Sequence, residues 1–290
     1  MAVLQGIVTA TPTAFTKDGD LDETRFRELV RHLLSEGVHG VSVAGSQGEF
    51  AVLDRTERLR LIEIAVEEAA GRVPVYAGTG AISTRESIEL TRAAQSIGAD
   101  VAMIITPYFL SPSPAELASH YRQVAAATDL PVLAYNNPPR TGVNLTGFTP
   151  FGNVVGIKDS SGDLTQAVEY LRGGALVFSG RDTITLALLL HGGAGAISPA
   201  ACVFPRLLVR MYGAAKSGRL EEALAISDAL APLRRAWELG SFPVVIKEAM
   251  ALTGHDPGPA RLPVAPLTEP ARAKLAEVVA KIQAFEAELA

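Results

Sequence analysis

Lys158 closes the apolar run Val154-Val155-Gly156-Ile157, where an ammonium group is costly to hold out of water. Desolvation favours the neutral amine, and a neutral amine is a nucleophile toward a ketone carbonyl. On position alone the same side chain can emerge into solvent or pair with Asp159. Tyr135 ends the preceding apolar run, Val132-Leu133-Ala134-Tyr135-Asn136. Adjacent strands lie roughly 4.8 Å apart, so Tyr135 and Lys158 can face one pocket if the two runs pair. A phenol beside an amine can shuttle protons to a carbinolamine or a substrate hydroxyl, or it can be a core tyrosine with a satisfied hydroxyl.

Two further segments read as anion sites. Gly45-Ser46-Gln47-Gly48-Glu49 follows a short apolar run, and its glycines let backbone N–H groups and the Ser46 hydroxyl converge on a carboxylate. It lacks the GxxxxGK[ST] spacing of a phosphate loop. Arg140 stands five residues past Tyr135 in a proline-stiffened turn, where its fork can grip a second carboxylate or simply lie at the surface. Gly78-Thr79-Gly80 marks tight backbone space. His32, His39, His120, His191 and His255 are scattered, and Asp159, Asp163 and Asp182 have no partner at metal-ligand spacing. A metal-dependent mechanism is therefore poorly supported.

Such residues must be carried on something rigid. Eight continuous apolar runs punctuate the chain at Gly6–Thr11, Gly40–Ala44, Val73–Gly78, Val101–Thr106, Val132–Asn136, Val154–Lys158, Leu176–Gly180 and Ala194–Ser198. Unbroken apolarity is the mark of strands buried on both faces, as in parallel sheets. Amphipathic stretches alternate with them: Asp22–Glu36 with Asp20 or Asp22 as cap, Asp54–Ala70, Thr84–Ile97, Pro114–Ala127 after Ser113, Gly162–Leu171 and Thr183–His191. The crossover Thr141–Asn153 holds three glycines and a proline, so little helix is expected there. Phe204–Ser217, Leu220–Leu239, Phe242–Leu252 and Glu269–Leu289 all read as helices. Eight β-α units predict an α/β fold, a (β/α)8 TIM barrel over 1–218 with a C-terminal helical extension over 219–290 packed on it. Function then belongs at the C-terminal ends of the strands, where Lys158 and Tyr135 fall.

Composition narrows the partners. The chain has 290 residues with 26 Lys+Arg against 31 Asp+Glu, and no basic block that would meet a nucleic-acid backbone. Its most apolar segment, Leu186–Val203, is broken by Gly192, Gly193, Gly195 and Pro199, so it reads as helix end, turn and buried strand rather than a membrane span. Met1–Gln5 lacks the basic region and apolar stretch of a secretion signal. A single cysteine, Cys202, suits the cytoplasm.

Seven pieces in order carry a resemblance over essentially the whole chain: GSQGE at 45–49, AGTG at 77–80, TPYF at 106–109, YNNPPRTG at 135–142, GIKDSSGD at 156–163, SGRD at 179–182 and LPVAPLT at 262–268. Together they resemble the dihydrodipicolinate synthase / N-acetylneuraminate lyase family. The resemblance implies a barrel with C-terminal helices, a homo-oligomer (tetramer or dimer), and a Schiff base with pyruvate or a related 2-keto acid, with no metal or organic cofactor. It implies Lys158 as the Schiff-base residue and Tyr135 as proton shuttle. Ser46 and Gln47 would hold the keto-acid carboxylate, and Gly180, Ile197 and Ser160 would line the pocket.

The second substrate, an aldehyde, divides the family. Arg140 in its PxRTG context is similar to the synthases, in which that arginine meets the carboxylate of aspartate semialdehyde. Ser46-Gln47 stands where paired threonines are usual, and Phe109 stands at the relay tyrosine, with Tyr108 the adjacent phenol. GSQGEF and Lys158-Asp159-Ser160 are more similar to 4-hydroxy-2-oxoglutarate aldolases and sugar-acid dehydratases. Phe50 and Ile82 replace small polar residues of the lysine-feedback pocket, although Glu86 is kept. A ligand-binding paralogue without turnover is a reading of another class; retained Lys158 and Tyr135 argue against it.

Overall fold

The computed structural model describes residues 4–289. The N-terminal reading made on Met1–Gln5 lies in part on residues 1–3, outside the described residues. Eight parallel strands close on themselves: β1 (Gly6–Ala10), β2 (Gly40–Val43), β3 (Val75–Gly78), β4 (Val101–Ile105), β5 (Val132–Asn136), β6 (Val154–Asp159), β7 (Leu176–Ser179) and β8 (Gly195–Ser198). Each lies within two residues of its expected run. The third begins at Val75 because Pro74 has no N–H for the ladder. Closure comes from Ile7 and Val8 of β1 pairing with Ala196 and Ile197 of β8. The fold is the expected TIM barrel.

Helices start where local chemistry satisfies their free N–H groups. α1 (Glu23–Ser35) is capped by Asp22, not Asp20. α2 (Arg55–Ala69) and α4 (Pro114–Ala125) begin with full capping boxes, Asp54 with Glu57 and Ser113 with Glu116. α3 (Thr84–Ile97) is capped by Ser83 and ends on left-handed Gly98. The crossover after β5 contains only one helical turn, α5 (Pro138–Thr141), as its glycines and prolines predict. α6 (Leu164–Arg172) and α7 (Asp182–Leu190) follow β6 and β7.

Past β8 come a short turn α8 (Ala200–Val203), then α9 (Pro205–Lys216), α10 (Leu220–Arg235), α11 (Val244–Leu252) and α12 (Glu269–Leu289). Two details differ from the sequence reading. α8 is extra, because its Ala-Ala-Cys-Val reads as a continuation of the β8 apolar run. The expected Leu220–Leu239 helix stops at Arg235 and tightens into a 3₁₀ turn, Ala236–Leu239. α10, α11 and α12 share one apolar core with α1, α2, α9 and strands β1 and β2. A smaller cluster of Val8, Tyr76, Met103, Leu133, Phe178 and Ile197 fills the barrel itself. Among the described residues no helix is long and apolar enough to cross a membrane.

His120 on α4 makes this packing pH-sensitive. It is buried; one ring nitrogen lies 2.9 Å from Thr84 Oγ1 and the other has no partner among the described residues. Burial pushes its pKa down to about 4. The folded state therefore binds fewer protons than the unfolded chain between pH 6.5 and 4. Its contribution is complete above pH 6.5 and is lost as pH falls, amounting to about 3 kcal/mol by pH 4. Denaturant melts at pH 7 and pH 4.5 should show a smaller stability difference in His120→Gln than in the parent. An unchanged difference would show that this ring is not the sensor.

Candidate active site

Register decides which side chains meet. Tyr135 pairs with Lys158 across β5 and β6, and Lys158 with Phe178 across β6 and β7. All three point into the barrel, while alternation sends Asp159 to the other face. There Asp159 accepts from Asn136 Nδ2 at 2.8 Å and Ser161 Oγ at 2.6 Å, so it braces the strand ends and leaves Lys158 alone. Burial pushes its carboxyl above the usual range, against those hydrogen bonds. Lys158 is only 5% exposed, and its Nζ lies 4.2 Å from the Tyr135 ring centroid. The alternatives of a solvent lysine or a Lys158–Asp159 pair are not what is found.

Tyr135 is buried too, which alone would raise its pKa. The Lys158 charge outweighs this, together with the Ser46 and Ser160 hydroxyls and the Asn137 amide, and holds the phenol below its ordinary value. Asn137 Nδ2 donates to the Tyr135 hydroxyl at 2.9 Å.

A cavity of about 310 Å³ opens above this pair, lined by Ser46, Gln47, Tyr135, Lys158, Ser160, Gly180 and Ile197, with Arg140 at its rim. Gly180 keeps the space beside Ser160 open: a Cβ there would force the Ser160 hydroxyl to turn away. Gly78 is more tightly constrained, by the Ala44 backbone carbonyl behind the Ser46 turn, which is the tight space its sequence suggested.

The Ser46 turn is strained and anchored. Ala44 and Glu49 both take left-handed φ, 51° and 58°, at a cost of roughly 1–2 kcal/mol each. Glu49 accepts from Lys247 Nζ at 2.7 Å and from the Arg261 N–H at 2.9 Å, and Thr13 Oγ1 donates to Gly48 O at 2.6 Å. The Lys247–Glu49 pair is buried, so removing either partner would strand a charge. Held this way, the Ser46 and Gln47 N–H groups donate to no protein acceptor among the described residues. The Gln47 side chain donates to Pro243 O at 3.3 Å and leaves its Oε1 buried with no partner among the described residues.

Tyr108 is placed differently. It is half-buried, edge-on to Phe50 at 5.6 Å, and lines a neighbouring cavity with Phe50, Ile105 and Arg140 rather than the one over Lys158. Burial raises its pKa. Phe109 next to it is 93% exposed with φ 70°. Among the described residues no group of three or more His, Cys, Asp or Glu is placed to hold a metal ion.

The profile of the "Dihydrodipicolinate synthetase family" matches residues 3–282. Two curated relatives named 4-hydroxy-tetrahydrodipicolinate synthase are 39% identical (Methanospirillum hungatei, 96% of this chain, 99% of that one) and 40% identical (Methanothrix thermoacetophila, 97% of each). The crystal structure of a prophage protein of the same family from E. coli K12, in complex with pyruvate, superposes with TM-score 0.91 at 33% identity, covering 97% and 99% of the two chains. The 4-hydroxy-tetrahydrodipicolinate synthase from Methylacidiphilum fumariolicum gives TM-score 0.93 at 31% identity, covering 98% and 97%. The chain belongs to the dihydrodipicolinate synthetase family. It is a lyase of the class I aldolase type.

Several residues lining the mouth escaped the sequence reading. Asn137 is hidden inside a polar run. Arg181 follows Gly180 directly, and its place after a strand end was a usable signal. Arg234, Trp237 and Phe242 come from the helical extension, some 75 or more residues beyond Lys158 in sequence, and reach the cavity only through tertiary packing.

Proposed function

We propose that Lys158 attacks the carbonyl of pyruvate or a related 2-keto acid, loses water through a carbinolamine and forms an imine. Loss of a proton from the adjacent methyl group gives an enamine, which adds to an aldehyde; the reverse sequence cleaves the bond. Tyr135 carries the protons, donating to the departing hydroxyl and to the new alkoxide. The free N–H groups of Ser46 and Gln47 bind the keto-acid carboxylate, with the Ser46 hydroxyl beside them. Ser160, Gly180 and Ile197 shape the pocket, and Arg140 meets the aldehyde's anionic group. Tyr108 acts on the far side of Arg140. The observation that carries this reading is the buried amine of Lys158, over the Tyr135 ring and with no carboxylate partner among the described residues. No metal or organic cofactor is needed for these steps.

Relatives' names favour aspartate semialdehyde as the aldehyde, giving 4-hydroxy-tetrahydrodipicolinate synthesis. Phe109 favours a second reading, a 4-hydroxy-2-oxoglutarate or sugar-acid aldolase or dehydratase, since it cannot carry a proton where the synthases use tyrosine. Borohydride reduction in the presence of pyruvate, followed by peptide mass spectrometry, tests the mechanism. A reduced pyruvyl adduct on the Lys158 peptide is expected, and an unmodified peptide would end the proposal. Coupled assays of condensation with aspartate semialdehyde, against retro-aldol release of pyruvate, separate the two readings.

We also propose a cytoplasmic homo-oligomer, a dimer or tetramer. Exposed Phe109 and Leu110 support an interface, and sedimentation equilibrium should return a multiple of 30.5 kDa. Segment 219–290 serves as a wall of the active-site mouth rather than as a separate module. Lysine is not a feedback inhibitor in this reading, because Phe50 packs against Tyr108 and under Arg58, leaving an apolar wall. Activity in 10-fold steps of lysine up to roughly 10 mM should stay flat, at concentrations where even weak millimolar binding would show.

A further inference from the structure

The cavity over Lys158 is not closed toward the extension. It continues into a second one of about 460 Å³ between α10, the 3₁₀ turn and the barrel mouth, and the two share Arg140, Arg181, Arg234, Trp237 and Phe242. Arg235 is added in the outer part. Among the described residues no carboxylate lines the inner cavity, and Glu238 is the one carboxylate lining the outer.

Four arginines thus converge on one hollow in a chain whose formal charge is −5. Several arginines elsewhere are paired, Arg60 with Glu23, Arg261 with Glu57 and Arg210 with Glu222. Among the described residues Arg140, Arg181, Arg234 and Arg235 have no carboxylate partner. The side chains are also oriented. The Arg140 guanidinium lies 4.4 Å over the Phe242 ring, and that of Arg234 4.0 Å over the Trp237 ring. Stacking occupies the faces of a guanidinium and leaves its N–H edges free for in-plane, bidentate contact with an oxyanion. Arg181 spends its Nε–H on Ser160 O at 3.1 Å and keeps its terminal amines. Arg234 is half-buried, and burial with the nearby Arg181 and Arg140 charges makes its cation less comfortable than in water; Asp182 offsets this only in part. A bound anion would relieve that repulsion.

We propose that this arginine-lined hollow is the subsite for the far end of the aldehyde, and that it takes a multiply charged anion, a phosphate monoester or a second carboxylate. This deepens the Schiff-base reading and rests on Lys158 marking the reacting carbonyl.

The test compares pyruvate-dependent turnover of glyceraldehyde, glyceraldehyde 3-phosphate and succinate semialdehyde. The phosphorylated acceptor should exceed neutral glyceraldehyde in kcat/KM by about 100-fold, the scale of one charge-assisted contact pair. Arg234→Gln and Arg181→Gln should each lower that ratio by about 10-fold or more, chiefly through KM, and Arg234→Lys should restore part of it. Phosphate against succinate semialdehyde distinguishes phosphate from carboxylate as the preferred charge. Trp237, the only tryptophan, gives a readout without turnover. Glycerol 3-phosphate should change its fluorescence saturably in the pyruvate-loaded enzyme, and glycerol should not. Equal use of glyceraldehyde and its phosphate, or no saturable response to glycerol 3-phosphate, would each overturn the subsite. Borohydride trapping on Lys158 is run in parallel: its failure condemns the Schiff-base reading, whereas trapping without anion selectivity condemns only the subsite.

Discussion

A Lys158→Ala variant should fold as the parent does, lose all borohydride trapping of pyruvate, and turn over at least about 10⁴-fold more slowly. The size of the loss follows from what the amine does. Without it the ketone has no covalent electron sink, and neither Tyr135 nor the Ser46 turn can supply one. The stability expectation is the sharper part. Taking a lysine into a 5%-exposed site costs desolvation energy, and the gain from lying over the Tyr135 ring is about 1–2 kcal/mol. Truncation removes both terms and leaves a void beside an existing cavity, so the net change should stay within about 2 kcal/mol. Thermal melts by circular dichroism check this, and trapping and steady-state kinetics check the rest. Retained turnover with a parent-like melt would show that the lysine is a passenger. Collapse of the fold would show that the site is structural.

How much of this was legible beforehand differs by layer. The eight strands were visible because burial on both faces removes the polar alternation, and Ser113, with Asp20 or Asp22, was readable as a helix cap; the caps at Asp54 and Ser83 emerged only in the structure. Lys158 and Tyr135 were legible because each lies at the C-terminal end of an apolar run, and in a barrel that places them at one mouth. Their direct pairing needed the register, which single runs of Val, Leu and Ile do not encode. Asn137 could not be singled out from Asn136: one braces Asp159 and Asn144, the other holds the Tyr135 hydroxyl, and only alternation in the folded strand end tells them apart. Arg234, Trp237 and Phe242 were illegible for a different reason. α10 has an ordinary amphipathic pattern, and Arg234 and Arg235 in its last turn look like charges placed against the helix dipole. The same ambiguity touches Tyr108, whose neighbour Phe50 draws it out of the Lys158 cavity.

Tyr135→Phe should lower kcat by about 10²–10³-fold while pyruvate is still trapped on Lys158, more slowly than in the parent. Imine formation moves one proton to the departing hydroxyl, and carbon–carbon bond formation moves another to the alkoxide. A phenol beside the amine can serve both, whereas water in a narrow cavity is a poorer substitute. The hydroxyl also accepts from Asn137 Nδ2, so its removal leaves that buried amide unpaired, at about 1–3 kcal/mol. Asn137→Ala separates the two effects because it keeps the phenol and deletes the donor. Losing a hydrogen bond to the ionised form raises an acid's pKa, so the basic limb of kcat/KM assigned to Tyr135 should move to higher pH in Asn137→Ala. Tyr135→Phe should lose that limb altogether. A Tyr135→Phe enzyme with parent-like kcat, or a pH profile unmoved by Asn137→Ala, would assign the proton transfers to another group.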